Sequence, residues 1–271
     1  MSESLKVAIV YDFDGTLAQG NIQENSFIPN LGMTKELFWQ EVEKTMIDND
    51  MDGILAYMYC LLNKAKNQGI QVTKQHLKEH GKNVRYFSGV ESYFPYINDY
   101  AKQYNICLEH YIISSGTKEM IEGTSIAKYF TYIYASSFKY YQNEAIWPAV
   151  AINYTTKTQY LFRINKGIEH IWDHNAVNHF LEKHQRRIPF KNIIYIGDGL
   201  TDVPAMKLLK KKGGVSIGVY DPQGSEKDKQ QVEALLSQDR VNYTFASDFG
   251  LNKPLVNKIQ DILGDFLAKT P

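Results

Sequence analysis

Three short apolar segments of this chain each end in a cluster of polar residues, and this arrangement constrains the fold more than any other feature. The segments and the polar residues that follow them are Leu5–Tyr11 before Asp12-Phe13-Asp14-Gly15-Thr16, residues 111–113 before Ser114-Ser115-Gly116, and residues 192–196 before Gly197-Asp198-Gly199. None has a helical stripe, and each is typical of a buried strand. Helical stretches separate them, which indicates a parallel sheet with crossover helices. Ligands bind at the carboxyl ends of strands in such sheets, so we expect the polar clusters to meet there.

The remaining segments complete an α/β prediction. Further strand candidates are Val215–Tyr220, a short edge strand at Tyr243–Ala246 and a small β-hairpin at residues 136–154. Residues 18–105 are far more than a crossover helix needs, and apolar residues recur there at three- and four-residue spacing over Lys35–Asp48, 54–67 and 73–84. Long loops without structure are uncommon. We therefore predict a Rossmann-like parallel sheet core, residues 1–17 and 106–271, with helices on both faces, and an inserted α-helical domain, residues 18–105.

The first polar cluster contains two carboxylates, Asp12 and Asp14, separated by one residue. Two acids placed close together raise each other's pKa, which suits one to stay anionic and the other to carry a proton. A carboxylate can attack phosphorus directly and form an acyl phosphate, which divides one difficult step into two. The alternative is an ordinary Asx-turn or helix cap, for which this motif is equally suited.

Asp198 and Asp202 are a second pair of carboxylates, four residues apart. If a helix starts near Leu200, Asp198 lies in the preceding loop and Asp202 lies in the first turn. Magnesium prefers hard oxygen ligands, and Asp12, Asp198 and, as a further candidate, Asp202 would supply them. The alternative is that Asp202 caps the helix, which leaves Asp198 without a role.

The phosphate group of a substrate would need donors and a positive charge. Ser115 and Gly116 precede a predicted helix, where a hydroxyl and free backbone N–H groups suit a phosphate oxygen, although a plain serine cap is the alternative. Lys157 and Lys166 are the candidate cations. Most lysines are solvated surface groups, so the residues by themselves do not choose between them.

Four motifs of this chain resemble, in their order, those of the haloacid dehalogenase superfamily of phosphatases. They are DFDGT, a strand ending in Ser-Gly, a downstream lysine and GDGxxD. The resemblance implies that Asp12 is the nucleophile and Asp14 the general acid and base. It implies a magnesium ion held by Asp12, the backbone carbonyl of Asp14 and Asp198, with Asp202 as a ligand or as a residue that orients one. Ser115 and Gly116 would bind the transferring phosphoryl group, and the lysine would stabilise its charge.

Finer features resemble the phosphoserine phosphatase-like branch of that superfamily. The spacing from Lys157 to Leu161 and Ile164 is similar to the lysine helix of that branch, which favours Lys157 over Lys166. Residues 18–105 would be a helical cap of the C1 type, the hairpin has a counterpart there, and residues 171–184 would be an added helical segment. Members of that branch hold a substrate amine with an acid shortly after the first motif. Asn21 stands at about that place, so we expect a substrate other than phosphoserine.

The expected function is magnesium-dependent hydrolysis of a small phosphomonoester through a phospho-aspartyl intermediate. The alternatives are a phosphotransferase or phosphomutase with the same nucleophile, and a non-catalytic ligand-binding protein on this fold. Thirty basic residues balance thirty acidic ones, which gives no net field for nucleic acid or an anionic membrane. The partner expected is therefore a small phosphorylated metabolite, and the sequence does not indicate an oligomeric state. Two distant cysteines, no signal-peptide pattern and no long apolar run favour the cytoplasm.

Overall fold

The computed structural model describes residues 4–199 and 201–268, and within these ranges seven strands form one sheet. The strands are β1 Leu5–Tyr11, β2 Ile106–Thr117, β3 Phe130–Tyr141, β4 Glu144–Val150, β5 Ile193–Gly197, β6 Val215–Tyr220 and β7 Tyr243–Ala246. Their order across the sheet is β4-β3-β2-β1-β5-β6-β7. Neighbouring strands are parallel except for the antiparallel pair β3 and β4. The predicted α/β fold with a Rossmann-like sheet is confirmed.

The central strand β1 is buried on both faces over residues 7–11, as the apolar run after Lys6 predicts. Successive side chains of a strand point to opposite faces. Val7, Ile9 and Tyr11 accordingly enter one hydrophobic cluster, whereas Ala8 and Val10 enter a second one. Helices must therefore cover the sheet on both sides.

Eleven α-helices lie in the described ranges. They are α1 Phe27–Asn30, α2 Lys35–Asp48, α3 Gly53–Asn67, α4 Lys74–Gly81, α5 Val90–Gln103, α6 Lys118–Glu122, α7 Lys157–Lys166, α8 His174–Asn178, α9 Val203–Lys211, α10 Glu226–Ser237 and α11 Pro254–Ala268. Helix α5 packs against β2 and α11, and α7 packs against α9 on the opposite face. None of these helices combines the length and the apolar character that spanning a bilayer requires.

The inserted segment, residues 18–105, is mainly helical, and its helices pack against strands and helices of the core. Helix α4 lies against α6, and α3 lies against β4. Buried side chains of α1 to α4 share a hydrophobic cluster with β1. Helix α5 falls within the same segment, but it leads directly into β2 and packs on that strand. That this segment acts as a cap stays a prediction.

The predicted β-hairpin is β3 and β4, whose antiparallel pairing runs over residues 137–150, but strand β3 itself begins before the hairpin. Its turn lies at Gln142 and Asn143, both with positive φ (45° and 66°), as a tight two-residue hairpin turn requires. Strand β3 begins at Phe130, and its first half pairs in parallel with β2. The sequence prediction therefore missed a core strand that continues into the hairpin. Pro148 lies in β4, the edge strand, where a missing N–H is tolerated.

The added helix expected at residues 171–184 is wrong. The structure has only the short helix α8 and a 3-10 turn at Lys183–Gln185. One reason is local: the buried Arg163 guanidinium donates to the carbonyl oxygens of His170 (2.7 Å) and Ile171 (2.8 Å). These carbonyls are thereby withdrawn from helical pairing.

Candidate active site

The carboxyl ends of β1 and β5 bring three carboxylates together, as the strand-end argument predicts. Asp12 follows β1, and its N–H donates to the carbonyl oxygen of Ile196 in β5 (2.9 Å). Asp198 follows β5, and Asp202 directly precedes α9. One ligand atom from each of the three carboxylates lies within 4.8 Å of the others. We refer to Asp12, Asp198 and Asp202 as the acid cluster.

Asp12 is buried and held at both carboxylate oxygens. Its Oδ1 accepts from the N–H of Phe13, and its Oδ2 accepts from Lys157 Nζ, both at 2.7 Å. Burial and then the nearby Asp202 raise the pKa of Asp12, whereas Lys157 opposes this shift. The ammonium group is therefore what favours the anionic form of this carboxyl.

Lys157, at the start of α7, is completely buried and bridges two members of the acid cluster. Its Nζ donates to Asp12 Oδ2 and to Asp202 Oδ1, each at 2.7 Å. Burial lowers the pKa of Lys157, but the two carboxylates outweigh it, so the lysine stays charged. The rival, Lys166, instead donates to the backbone carbonyls of Val177 and His179 (both 2.6 Å). Only Lys157 of these two lies at the site.

Asp202 occupies the N-cap position of α9, but its side chain accepts no hydrogen bond from the helix. Its Oδ1 accepts from Lys157 and from the Tyr195 hydroxyl (2.7 Å). Its Oδ2 is buried and has no hydrogen-bond partner among the described residues. An unpartnered carboxylate oxygen is costly in a protein interior. Leu200, near which a helix start was predicted, lies outside the described residues, and α9 begins at Val203.

The donor set of the acid cluster fits a divalent cation. Three carboxylates face one ammonium group, and the orphaned Asp202 Oδ2 is a free ligand atom. Burial raises the pKa of Asp198, and the negative charges of Asp12 and Asp202 raise it further. A bound cation would relieve the repulsion among these three carboxylates. All the ligand atoms are hard oxygens, which suits magnesium. Gly15 has a φ of +72°, and a Cβ there would overlap Asp198 Oδ2, so glycine permits this close approach.

Asp14 lies beside the cluster in a different environment. Its Oδ1 accepts from the N–H of Ile22 (2.8 Å), and a Cβ on Gly116 would come within 2.6 Å of its Oδ2. Burial and then the charge of Asp12 raise the pKa of Asp14 to about 8. This shift favours the protonated form, which suits the carboxyl group to donate a proton.

Ser115 and Gly116 reach the same edge from β2, and they precede helix α6, which begins at Lys118 with Thr117 in the N-cap position. Both lie in the last residues of β2, where the pairing with β3 is irregular between Ser114 and Thr117. The Ser115 Oγ is buried and has no hydrogen-bond partner in the described part of the chain. A free hydroxyl is thus available at the carboxyl end of β2.

Two tyrosines at the site were not predicted from the sequence. Tyr195 donates to Asp202 Oδ1, and Tyr57 of α3 donates to the carbonyl oxygen of Ser115 (2.9 Å). The only available signal was general, since buried tyrosine hydroxyls usually find a partner. Which partner they find depends on tertiary packing.

A cavity of about 410 Å³ opens beside Asp198. It lies between the loops that follow β1 and β5, the end of β6 and one face of α10. Its apolar wall includes Phe87, Val219 and Leu235, and its polar rim includes Asp221, Asp228 and Gln231. No lysine or arginine is among its described lining residues. The space is large enough for an organic group attached to a phosphate.

Comparisons with known proteins agree with this architecture. Residues 7–217 match the model of a family described as "Putative Phosphatase". An uncharacterised protein of Borreliella burgdorferi is 30% identical, over 94% of this chain and 95% of its own length. A HAD family hydrolase of Salmonella enterica serovar Typhi has a TM-score of 0.54 and 16% identity, over 88% of this chain and 66% of that one. A phospho-aspartyl intermediate analogue of phosphoserine phosphatase has a TM-score of 0.52 and 14% identity, over 89% and 93%.

Proposed function

Because this chain belongs to the Putative Phosphatase family and has the fold of phosphoserine phosphatase-like members of the haloacid dehalogenase superfamily, we propose that it hydrolyses a small phosphomonoester with the help of Mg²⁺. One observation carries the proposal. The buried Asp12 carboxylate contacts the charged Lys157 within the acid cluster, while Asp14 lies beside it with a pKa that burial and the charge of Asp12 raise. A paired anionic carboxylate and a protonated one are what nucleophilic attack and leaving-group protonation need.

In the first step, the Asp12 carboxylate attacks phosphorus and forms an acyl phosphate. The bond from phosphorus to the ester oxygen breaks, and Asp14 gives its proton to that oxygen as the alcohol leaves. In the second step, the Asp14 carboxylate takes a proton from water as the water attacks phosphorus. The bond to Asp12 then breaks, inorganic phosphate leaves, and both carboxyl groups return to their starting forms.

The remaining site residues would stabilise the transferring phosphoryl group. Asp12, Asp198 and Asp202 Oδ2 would hold Mg²⁺, which supplies positive charge to the phosphoryl oxygens when it is bound. Lys157 supplies a second positive charge at Asp12 Oδ2, and it stays in place through its bond to Asp202. The free Ser115 hydroxyl would donate to a phosphoryl oxygen.

The cavity beside Asp198 supports a substrate whose leaving group has no negative charge. Its described lining residues offer carboxylate and amide groups and an apolar wall, but no cation to pair with an anionic group. Asn21, at the place where an acid would hold a substrate amine, donates instead to Glu24 (2.6 Å). Both observations favour a substrate other than phosphoserine.

The test is capture of the intermediate. The protein is mixed with Mg²⁺ and p-nitrophenyl phosphate, quenched in acid and digested, and the peptide that contains Asp12 is weighed by mass spectrometry. We expect a phosphoryl group on that peptide, its loss in Asp12→Asn, and no turnover when EDTA removes the metal. Full activity in EDTA, or a phosphoryl group on another residue, contradicts the mechanism. Analysis of products with acceptor alcohols present distinguishes hydrolysis from transfer.

A further inference from the structure

Tyr57 is a buried residue of the helical insertion whose hydroxyl reaches the candidate phosphate site. Only 2% of its surface is exposed, and its hydroxyl donates to the carbonyl oxygen of Ser115 at 2.9 Å. The ring packs edge to face on Trp39, with 6.0 Å between the ring centres. The Trp39 indole N–H in turn donates to Glu24 (2.7 Å). The tyrosine is therefore held by its own segment while it contacts β2.

The backbone that Tyr57 contacts is only weakly held by the sheet. The pairing of β2 with β3 joins Ser114 to Ala135 and Thr117 to Ser136, so Ser115 and Gly116 fall in an irregularity of the register. The N–H of Gly116 donates to Ser114 Oγ (2.9 Å). The carbonyl and N–H of this peptide unit point in opposite directions because the bond is trans. The unit is thus fixed at one end by Ser114 and at the other by Tyr57.

The N-terminal cap of helix α3, five residues before Tyr57, contacts the element that carries Lys157. Asp52 caps α3 by accepting from the N–H groups of Ile54 and Leu55, and it also accepts from the side chain of Asn153. The carbonyl oxygen of Asn153 accepts from the N–H of Lys157 (3.2 Å). One helix of the insertion therefore contacts both elements that would hold a phosphoryl group.

We propose that Tyr57 is a positioning residue that holds the Ser115 peptide in the conformation that binds phosphate, and so makes phosphate affinity depend on the docking of α3. This inference rests on the proposed function. With its carbonyl fixed, Ser115 keeps its free hydroxyl at the edge shared with Asp14. Burial raises the pKa of Tyr57, so its hydroxyl stays a donor. By linkage, bound phosphate favours the docked position of α3 to the same extent.

Phosphate binding and metal binding should depend on different hydrogen bonds. The hydrogen bond of Tyr57 goes to Ser115, whereas the acid cluster is held by Lys157 and Tyr195. Loss of the Tyr57 hydroxyl should therefore lower the affinity for phosphate and leave the affinity for Mg²⁺ unchanged. A general loosening of the fold would weaken both ligands together.

The test uses isothermal titration of the full chain with Mg²⁺ alone and with inorganic phosphate in excess Mg²⁺. We expect Tyr57→Phe to raise the Kd of phosphate about tenfold, which corresponds to the loss of one buried hydrogen bond. The Kd of Mg²⁺ should change less than about twofold, because mutations at independent sites affect each other by no more than that. Tyr59→Phe is the matched control, because Tyr59 lies on the same helix and is 43% exposed. It should change neither constant.

A double-mutant cycle keeps the inference open to contradiction even if packing also changes. Because Tyr57 acts through Ser115, Tyr57→Phe should have little further effect on phosphate binding in a Ser115→Ala background. The inference is overturned if Tyr57→Phe binds phosphate as tightly as the unaltered protein does. It is also overturned if the affinities for phosphate and Mg²⁺ fall equally, or if the two mutations are fully additive in the cycle. If the unaltered protein binds no phosphate with Mg²⁺ present, the proposed function itself fails.

Discussion

Tyr11 and Asp12 are neighbours at the end of β1, and their side chains enter buried polar networks on opposite faces of the sheet. On one face, the Tyr11 hydroxyl contacts the Tyr93 hydroxyl and His110 Nδ1, both at 3.0 Å, and His110 Nε2 contacts Asn98 (3.1 Å). On the other face, Asp12 joins Lys157 and the rest of the acid cluster. We call these the tyrosine–histidine network and the acid cluster.

The two networks differ in charge and in completeness. Burial lowers the pKa of His110 to about 3, so the tyrosine–histidine network consists of neutral groups that satisfy one another. The acid cluster holds three carboxylates against one ammonium group and leaves Asp202 Oδ2 without a described partner. A network that is complete stabilises the fold, whereas one that lacks a partner is suited to bind something. Opposite effects of mutation on the two faces are therefore expected.

The largest expected effect comes from Asp12→Asn. Asparagine keeps the size of the side chain but cannot attack phosphorus, so hydrolysis of p-nitrophenyl phosphate should fall at least about 1000-fold. Lys157 keeps its bond to Asp202, so the melting temperature should change by only a few degrees. Steady-state kinetics and thermal unfolding measure the two quantities. Retention of more than a few per cent of the rate would remove Asp12 as the nucleophile.

Tyr11→Phe is the matched control one residue away. It removes a hydroxyl that two buried groups contact, so the free energy of unfolding should fall by roughly 1–3 kcal/mol. The turnover number should change less than about threefold, a shift of under roughly 1 kcal/mol. A large loss of turnover at unchanged stability would show that the two faces do not differ as described.

Much of the acid cluster could be predicted because each member follows a recognisable strand. The strand bounds of β1, β6 and β7 match the prediction, and the polar residues after β1 and β5 meet at one edge. Parallel strands place their carboxyl ends together whatever the sequence between them. Only the resemblance favoured Lys157 over Lys166, because a buried lysine and one that binds backbone carbonyls look alike in sequence.

The tyrosine–histidine network and the partners of Tyr57 and Tyr195 could not be predicted. Each joins residues far apart in sequence, such as Tyr11 with Tyr93 and His110, and side-chain periodicity does not determine which hydroxyl meets which acceptor. The start of β3 was missed for a related reason. Its first residues, from Phe130, are a short apolar run that only pairing with β2 identifies as a strand.

The next expected effect is a pH dependence of stability that comes from His110. Its pKa is about 3 when buried and about 6.5 in an unfolded chain, so between these values only the unfolded state binds the proton. Stability therefore rises with pH across this window, and the contribution is complete above about pH 6.5. From pH 7.5 to pH 5, the unaltered protein should lose about 2 kcal/mol from this group.

Urea unfolding of His110→Gln at both pH values checks the assignment. The variant should be less stable at pH 7.5, since its hydrogen bonds are disturbed, but should lose less stability than the unaltered protein on going to pH 5. His184→Gln, at an exposed position, should keep the original dependence. An unchanged dependence in His110→Gln would mean that other groups titrate in this window.

The smallest expected effect tests how the acid cluster is held in place. Tyr195 and Lys157 both donate to Asp202 Oδ1, which leaves Oδ2 as the free ligand atom. Without the tyrosine hydroxyl the carboxylate can rotate, so Tyr195→Phe should weaken Mg²⁺ binding about tenfold, the lower end of such effects. Tyr134→Phe is the control. Tyr134 is buried in the same hydrophobic cluster as Tyr195, but its hydroxyl donates to the carbonyl oxygen of Ile168 and not to the acid cluster. Both variants should lose similar stability, whereas only Tyr195→Phe should lose Mg²⁺ affinity in titration calorimetry. Equal Mg²⁺ affinity in the two variants would show that Lys157 alone orients Asp202 and that the Tyr195 hydroxyl does not help to hold the acid cluster.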